Sequence, residues 1–151
     1  MTLYPLLFLI HLLAAVVWVG GMVFVLFCLR PAAISVLPPP QRIPLVHAAL
    51  LRFFKFVVMA IALLLATGVV MILMVGTKNM PAAWMWMVGL GVVMMSVFFY
   101  LRAVPFAHLG KYVETQDWPL AAGQLERIRL GVLLNLAIGL AIFAVMKLGR
   151  Y

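Results

Sequence analysis

The sequence predicts an all-α integral membrane protein, a four-helix bundle forming one domain over 1–151, and three observations predict it. Sixty-eight per cent of the 151 residues are hydrophobic and nine per cent are charged, against about one quarter charged in soluble domains. Charge is also segregated: 2–29, 56–77, 79–101 and 130–146 contain no Lys, Arg, Asp or Glu. Each stretch is about as long as the ~17 to 25 residues that cross a hydrocarbon layer. Finally, the eleven basic residues collect at the ends of those stretches, where lipid head groups would meet them.

The first helix is expected over 3–29. It has no basic residue before Arg30 and its apolar run is longer than a cleavable signal core, so it is expected to remain as a spanning helix. Cys28 is the only cysteine, which excludes an intrachain disulfide. Pro31, Pro38, Pro39, Pro40 and Pro44 follow and predict an irregular connection, with Pro44 in the first turn of a second helix over 44–76. The third helix is expected over 81–110, running past Arg102 and bending near Pro105. Asp117, Trp118 and Pro119 read as the turn that opens a fourth helix over 119–148. Helices two and three are thus expected to extend beyond the membrane at one end.

Arg30, Arg42, Arg52 and Lys55 fall around the first connection, and Arg102, Lys111, Arg127 and Arg129 around the third. Lys78, Lys147 and Arg150 mark the opposite side. Positive residues favour the cytoplasm, so both basic connections are expected on the cytoplasmic side of a bacterial inner membrane, with the termini periplasmic. The net charge of +8 is therefore read as a topology signal. No basic-aromatic surface points to nucleic acid. Glu114, Asp117 and Glu126 are the only acidic residues and all flank the last connection, which argues against a carboxylate pathway through the bilayer. No Ser/His/Asp set or phosphate loop suggests hydrolysis.

His11 is the one ionisable side chain inside the first span, roughly 12 Å from its outer end at ~1.5 Å per residue. Ala14, Ala15, Trp18 and Met22 share its face. Thr67, Gly68, Gly89, Gly91 and Gly139 fall at a similar level on the other helices. Glycines at one depth permit either close helix packing or space for a planar cofactor beside His11. The repeat Gly131, Asn135, Gly139 favours packing for the fourth helix. His11 itself has two readings, a ligand or an imidazole bonded to a neighbouring helix.

His47 and His108 reach a similar level beyond Arg52 and Arg102, roughly 8 to 9 Å past them if helical. They could face each other, with Arg52, Lys55 and Arg102 placed to pair with acidic groups of a ligand such as porphyrin propionates. The plainer reading is two solvated histidines on helix extensions. Met71, Met74, Met80, Met85 and Met87 gather towards the outer side. Thioethers suit Cu(I), although methionine is also an ordinary filler of apolar bundles. Trp84, Trp86 and Trp118 read first as interfacial anchors, whereas Trp18 lies deeper.

The run from His11 through Trp18 to Gly20 and Gly21, Arg30-Pro-Ala-Ala33, the Pro-Pro-x-Arg of Pro39 to Arg42, Arg52-Phe-Phe with Thr67-Gly68, and Ile128-Arg129 with Asn135 to Gly139 together resemble the copper-resistance D (CopD-like) membrane proteins. The resemblance covers most of the chain and extends more distantly to the HemJ group, associated with b-type haem and protoporphyrinogen oxidation. It implies a bundle of four or more helices with a histidine in the first, and redox or copper biology. The family's helix-one histidine falls on His11, its tryptophan on Trp18 and its glycines on Gly20 and Gly21. Early in helix three, where relatives often carry a histidine, this chain reads Trp84-Met85-Trp86-Met87.

The expectation from residues and resemblance together is a membrane b-type cytochrome. Haem b would lie in the bundle on His11, His47 or His108, beside Trp18, exchanging electrons with a quinone or another redox partner; a haem-dependent oxidoreductase activity is compatible with this. The alternative is Cu(I) handling through Met71, Met74 and Met85. A structural subunit is a third reading, and the glycine faces allow a homodimer.

Overall fold

The structure, a computed structural model, describes residues 3–148; Arg150, one of the basic topology markers, lies outside the described residues. Four helices long and apolar enough to cross a membrane follow one another: α1 (Leu3–Val36), α2 (Pro39–Val75), α3 (Ala82–Glu114) and α4 (Trp118–Leu148). Large apolar side chains such as Leu6, Val16, Phe27, Leu73 and Leu140 stay exposed along their flanks. That pattern suits lipid as solvent, and the chain is an all-α four-helix membrane bundle.

Proline shapes the first half differently from the expectation. The first helix does not end at Leu29, and no irregular connection runs up to Pro44: only Leu37 and Pro38 lie outside helix between α1 and α2. Pro31 lacks an N–H and its ring would strike the carbonyl one turn back. The turn before it, Val25–Leu29, widens into a π-helix, with the Arg30 N–H bonding Val25 O, and α1 then continues as Arg30–Val36. A π-bulge of this kind accommodates a local misfit without ending the helix. Pro38 caps α2 in an extended conformation, and Pro39 and Pro40 open its first turn, where an N–H would have no intrahelical partner. Pro44 therefore sits inside α2 rather than in its first turn.

Gly76 ends α2 with φ 83°, a left-handed conformation that a side chain would strain. A short 3-10 turn, Thr77–Asn79, leads to α3. Within α3 the bend expected near Pro105 is present: helix Ala82–Ala103 breaks at Val104 and resumes as Pro105–Glu114. Asp117 opens α4 as expected, its Oδ1 accepting the Leu120 N–H at 3.2 Å and its backbone O accepting the Ala121 N–H at 2.9 Å.

In packing, α1 lies along α2, and α3 along α4. The two pairs close tightly at the basic end. Phe54 stands edge-on to Phe98 at 5.3 Å and to Phe106 at 4.9 Å, and Ile43, Leu50, Val57 and Leu109 around it are buried. Gly21 lets the Phe53 ring approach the α1 backbone, and a Cβ on Gly131 would lie 2.5 Å from Leu101 Cδ2. Midway, Asn135 Nδ2 donates to Met94 O at 3.0 Å, an interhelical bond of the kind that joins membrane helices. Towards the end where Leu3 and Leu148 lie, the pairs separate and leave a groove.

Candidate functional site

The groove encloses about 400 Å³ and is lined by all four helices. Its polar centre is His11. The face predicted for α1 divides there: Ala14, Trp18 and Met22 are buried, while Ala15 and Trp18 line the groove. Trp18 is held edge-on to Phe98 at a centroid distance of 6.2 Å, so the indole is fixed from below by the aromatic core.

His11 Nδ1 lies 2.8 Å from Thr67 Oγ1, and the Thr67 hydroxyl donates to Leu63 O at 2.6 Å. A hydroxyl has a single proton, so with that proton directed to Leu63 the imidazole is the donor to Thr67. In the neutral ring, Nε2 then carries the lone pair. The Thr67 hydroxyl of α2 thus orients a side chain that belongs to α1.

The glycine layer resolves into distinct roles. A Cβ on Gly68 would lie 3.4 Å from His11 Cε1, so Gly68 lets the imidazole rest against α2. Gly91 lines the groove, and a Cβ there would meet only Met95 Cε at 4.0 Å, so it contributes open space. Gly139 is a packing glycine, with Val19 Cγ2 at 3.0 Å and Met94 Cε at 3.4 Å from a Cβ. Gly89 is exposed and outside the lining, with nothing within 4 Å; it is neither a packing nor a groove residue.

Three predicted groupings are not brought together. His47 stacks on Phe106 at 5.0 Å and faces Gly110. His108 is exposed and adjoins Tyr112. Because 108 lies about 200° around the helix from both 106 and 110, the two histidines do not face each other. Arg52, Lys55 and Arg102 are exposed and line neither this groove nor any site with His11. The copper set also separates: Met71 is buried, Met74 and Met85 are exposed, and none lines the groove.

Of the outer-side methionines singled out in the sequence, Met87 does line the groove, and its companions Met94, Met95 and Met146 were not foreseen. Met87, Met94, Met95 and Met146 line the groove with His11, and Lys147 stands among its lining residues. Their depth was readable from sequence, but the angular position that turns them inward follows from how the two helix pairs separate. Among the described residues no group of three or more His, Cys, Asp or Glu side chains could hold a metal ion, so a metal here would depend on imidazole and thioether donors.

No curated protein and no solved structure matches the chain. A family model described as a domain of unknown function, DUF4149, matches residues 13–108, which takes in Trp18, Thr67, Gly68 and Gly91 across α1, α2 and most of α3. The match covers more than half of the sequence, and the chain belongs to the DUF4149 family.

Proposed function

We propose that the protein is a membrane b-type cytochrome that binds haem in the groove. The observation carrying this reading is His11: its Nδ1 is engaged by Thr67, which assigns the lone pair to Nε2, and the ring lines a space of about 400 Å³. Ligating histidines characteristically donate their other N–H to a fixed acceptor, and cofactor sites commonly enclose ~300 to 1,000 Å³. The resemblance to CopD-like and HemJ proteins points the same way.

His11 would hold the haem iron. Met87, Met94 and Met95 of α3, all lining the groove, are the candidates for a second ligand, since histidine with methionine is an established haem pairing. Lys147 replaces Arg52, Lys55 and Arg102 as the cation nearest the site and would pair with a propionate. Trp18 and Gly91 shape an apolar surface for the macrocycle. Bound haem would supply reversible one-electron chemistry, and a quinone dissolved in the bilayer is a suitable exchange partner. The basic end, with its Arg and Lys cluster, is assigned to the cytoplasm of a bacterial inner membrane.

The test is an absorption spectrum of protein purified after haem-supplemented expression, oxidised and then dithionite-reduced. A Soret band that His11→Ala removes is expected; wild-type protein without one overturns the reading. A Cu(I) site is the second reading, favoured by the four groove methionines beside His11. Stoichiometric copper without haem, lost in Met87→Leu or Met94→Leu, would establish it instead.

A further inference from the structure

At the basic end, a second and smaller cavity of about 90 Å³ lies between α1, α2 and α4. Arg30, Arg42 and Arg129 line it together with Glu126. Arg30 Nη2 donates to Glu126 Oε2 at 3.1 Å, while Arg129 Nε donates to Glu126 Oε1 at 2.8 Å. Arg42 has no ion-pair partner among the described residues. Three guanidinium groups therefore line a cavity with one carboxylate, which two of them bind, and the chain's other acids, Glu114 and Asp117, do not line it. A guanidinium has five N–H donors, so Arg30 and Arg129 keep donors beyond those given to Glu126.

The rest of the wall is apolar. Val25 and Leu26, from the π-turn of α1, continue it with Ile34 and Leu125, and Ile34 is itself exposed on the outer surface. Depth fits this composition. From Leu3 to Arg30 the helix rises about 40 Å, more than the ~30 Å of a hydrocarbon core, so Arg30 stands at head-group level. A soluble anion would satisfy the guanidinium groups and leave the apolar wall uncovered. A lipid carries both parts.

We propose that this cavity is a binding site for an anionic phospholipid, with a head-group phosphate held by Arg42 and by the Glu126-braced pair Arg30 and Arg129, and an acyl chain along Val25, Leu26 and Ile34. Basic pockets between membrane helices recognise lipid phosphates in this way. Glu126 positions two of the guanidinium groups, and Arg42 contributes the charge that no carboxylate among the described residues pairs with. The site shares no lining residue with the groove at His11.

The test uses the full chain, delipidated in non-ionic detergent, with lipid adducts quantified by native mass spectrometry during titration with cardiolipin, phosphatidylcholine or inorganic phosphate. Wild-type protein is expected to retain cardiolipin in preference to phosphatidylcholine. Arg42→Gln should weaken cardiolipin binding about fivefold, from ~1 kcal/mol per basic residue, with recovery in Arg42→Lys and no change in Arg102→Gln. Equal binding by Arg42→Gln and wild type overturns the proposal, as does equal retention of phosphatidylcholine. Competition by inorganic phosphate at the same concentration as cardiolipin would reassign the cavity to a free anion.

Discussion

The His11 ring donates from Nδ1 to the Thr67 hydroxyl across 2.8 Å, linking the first two helices and setting the tautomer at the groove. Removing the acceptor should loosen that orientation without deleting the ligand. Thr67→Val is expected to weaken haem binding about 10- to 100-fold, the usual effect of losing a partner behind a ligating histidine, and Thr67→Ser to restore it. Haem titration followed by the Soret band measures both. Wild-type affinity in Thr67→Val would show that the hydroxyl does not orient a ligand.

The other two histidines should separate from pigment binding altogether. His108 is exposed, so His108→Ala is expected to change neither spectrum nor stability. His47 stacks on Phe106. His47→Ala should retain the spectrum while losing about 1 kcal/mol of stability, as for other ring pairs. Reduced-minus-oxidised spectra and thermal unfolding in detergent check each variant, and a lost Soret band in either would return that histidine to the site.

Two glycines should respond in opposite directions to alanine. In Gly131→Ala the new methyl would meet Leu101 at 2.5 Å, and forcing extra volume into a packed contact costs about 1 to 3 kcal/mol. Gly89→Ala places its methyl where nothing lies within 4 Å. That variant should be neutral or gain up to about 1 kcal/mol from helix propensity. Thermal unfolding of the two proteins in one detergent makes the comparison.

Asn135 should matter less than its burial suggests. Its Nδ2 bonds Met94 O, yet its buried Oδ1 has no partner among the described residues. Interhelical bonds of this type average ~0.6 kcal/mol in membrane proteins, and Asn135→Leu also removes the unsatisfied acceptor. A stability change within about 1 kcal/mol is expected on denaturant titration. A much larger loss would mean that the Oδ1 atom has an important bound partner.

The helices were legible because each needs only an uncharged stretch of sufficient length. Depth was equally legible, and it placed His11, Thr67 and Gly68 at one level. Angular position was not. His47 and His108 share a level, but Val104 and Pro105 interrupt α3, so helical phase cannot be carried from Arg102 across the break. Pro31 misled for a related reason: proline removes one hydrogen bond and crowds one carbonyl, and a single widened turn absorbs both. Lys147 and the groove methionines depend on where two helix pairs separate, above the packed layer of Phe54, Phe98 and Leu101, and residues distant in sequence build that layer.

Leu65 and Val69 on one rim of the groove, and Val88 and Val92 on the other, are exposed, so its opening faces acyl chains. A molecule reaching His11 by that route must first dissolve in the bilayer. Occupancy would then follow the amount of ligand per lipid rather than its concentration in water, and diluting the membranes with buffer would leave a strongly partitioning ligand in place.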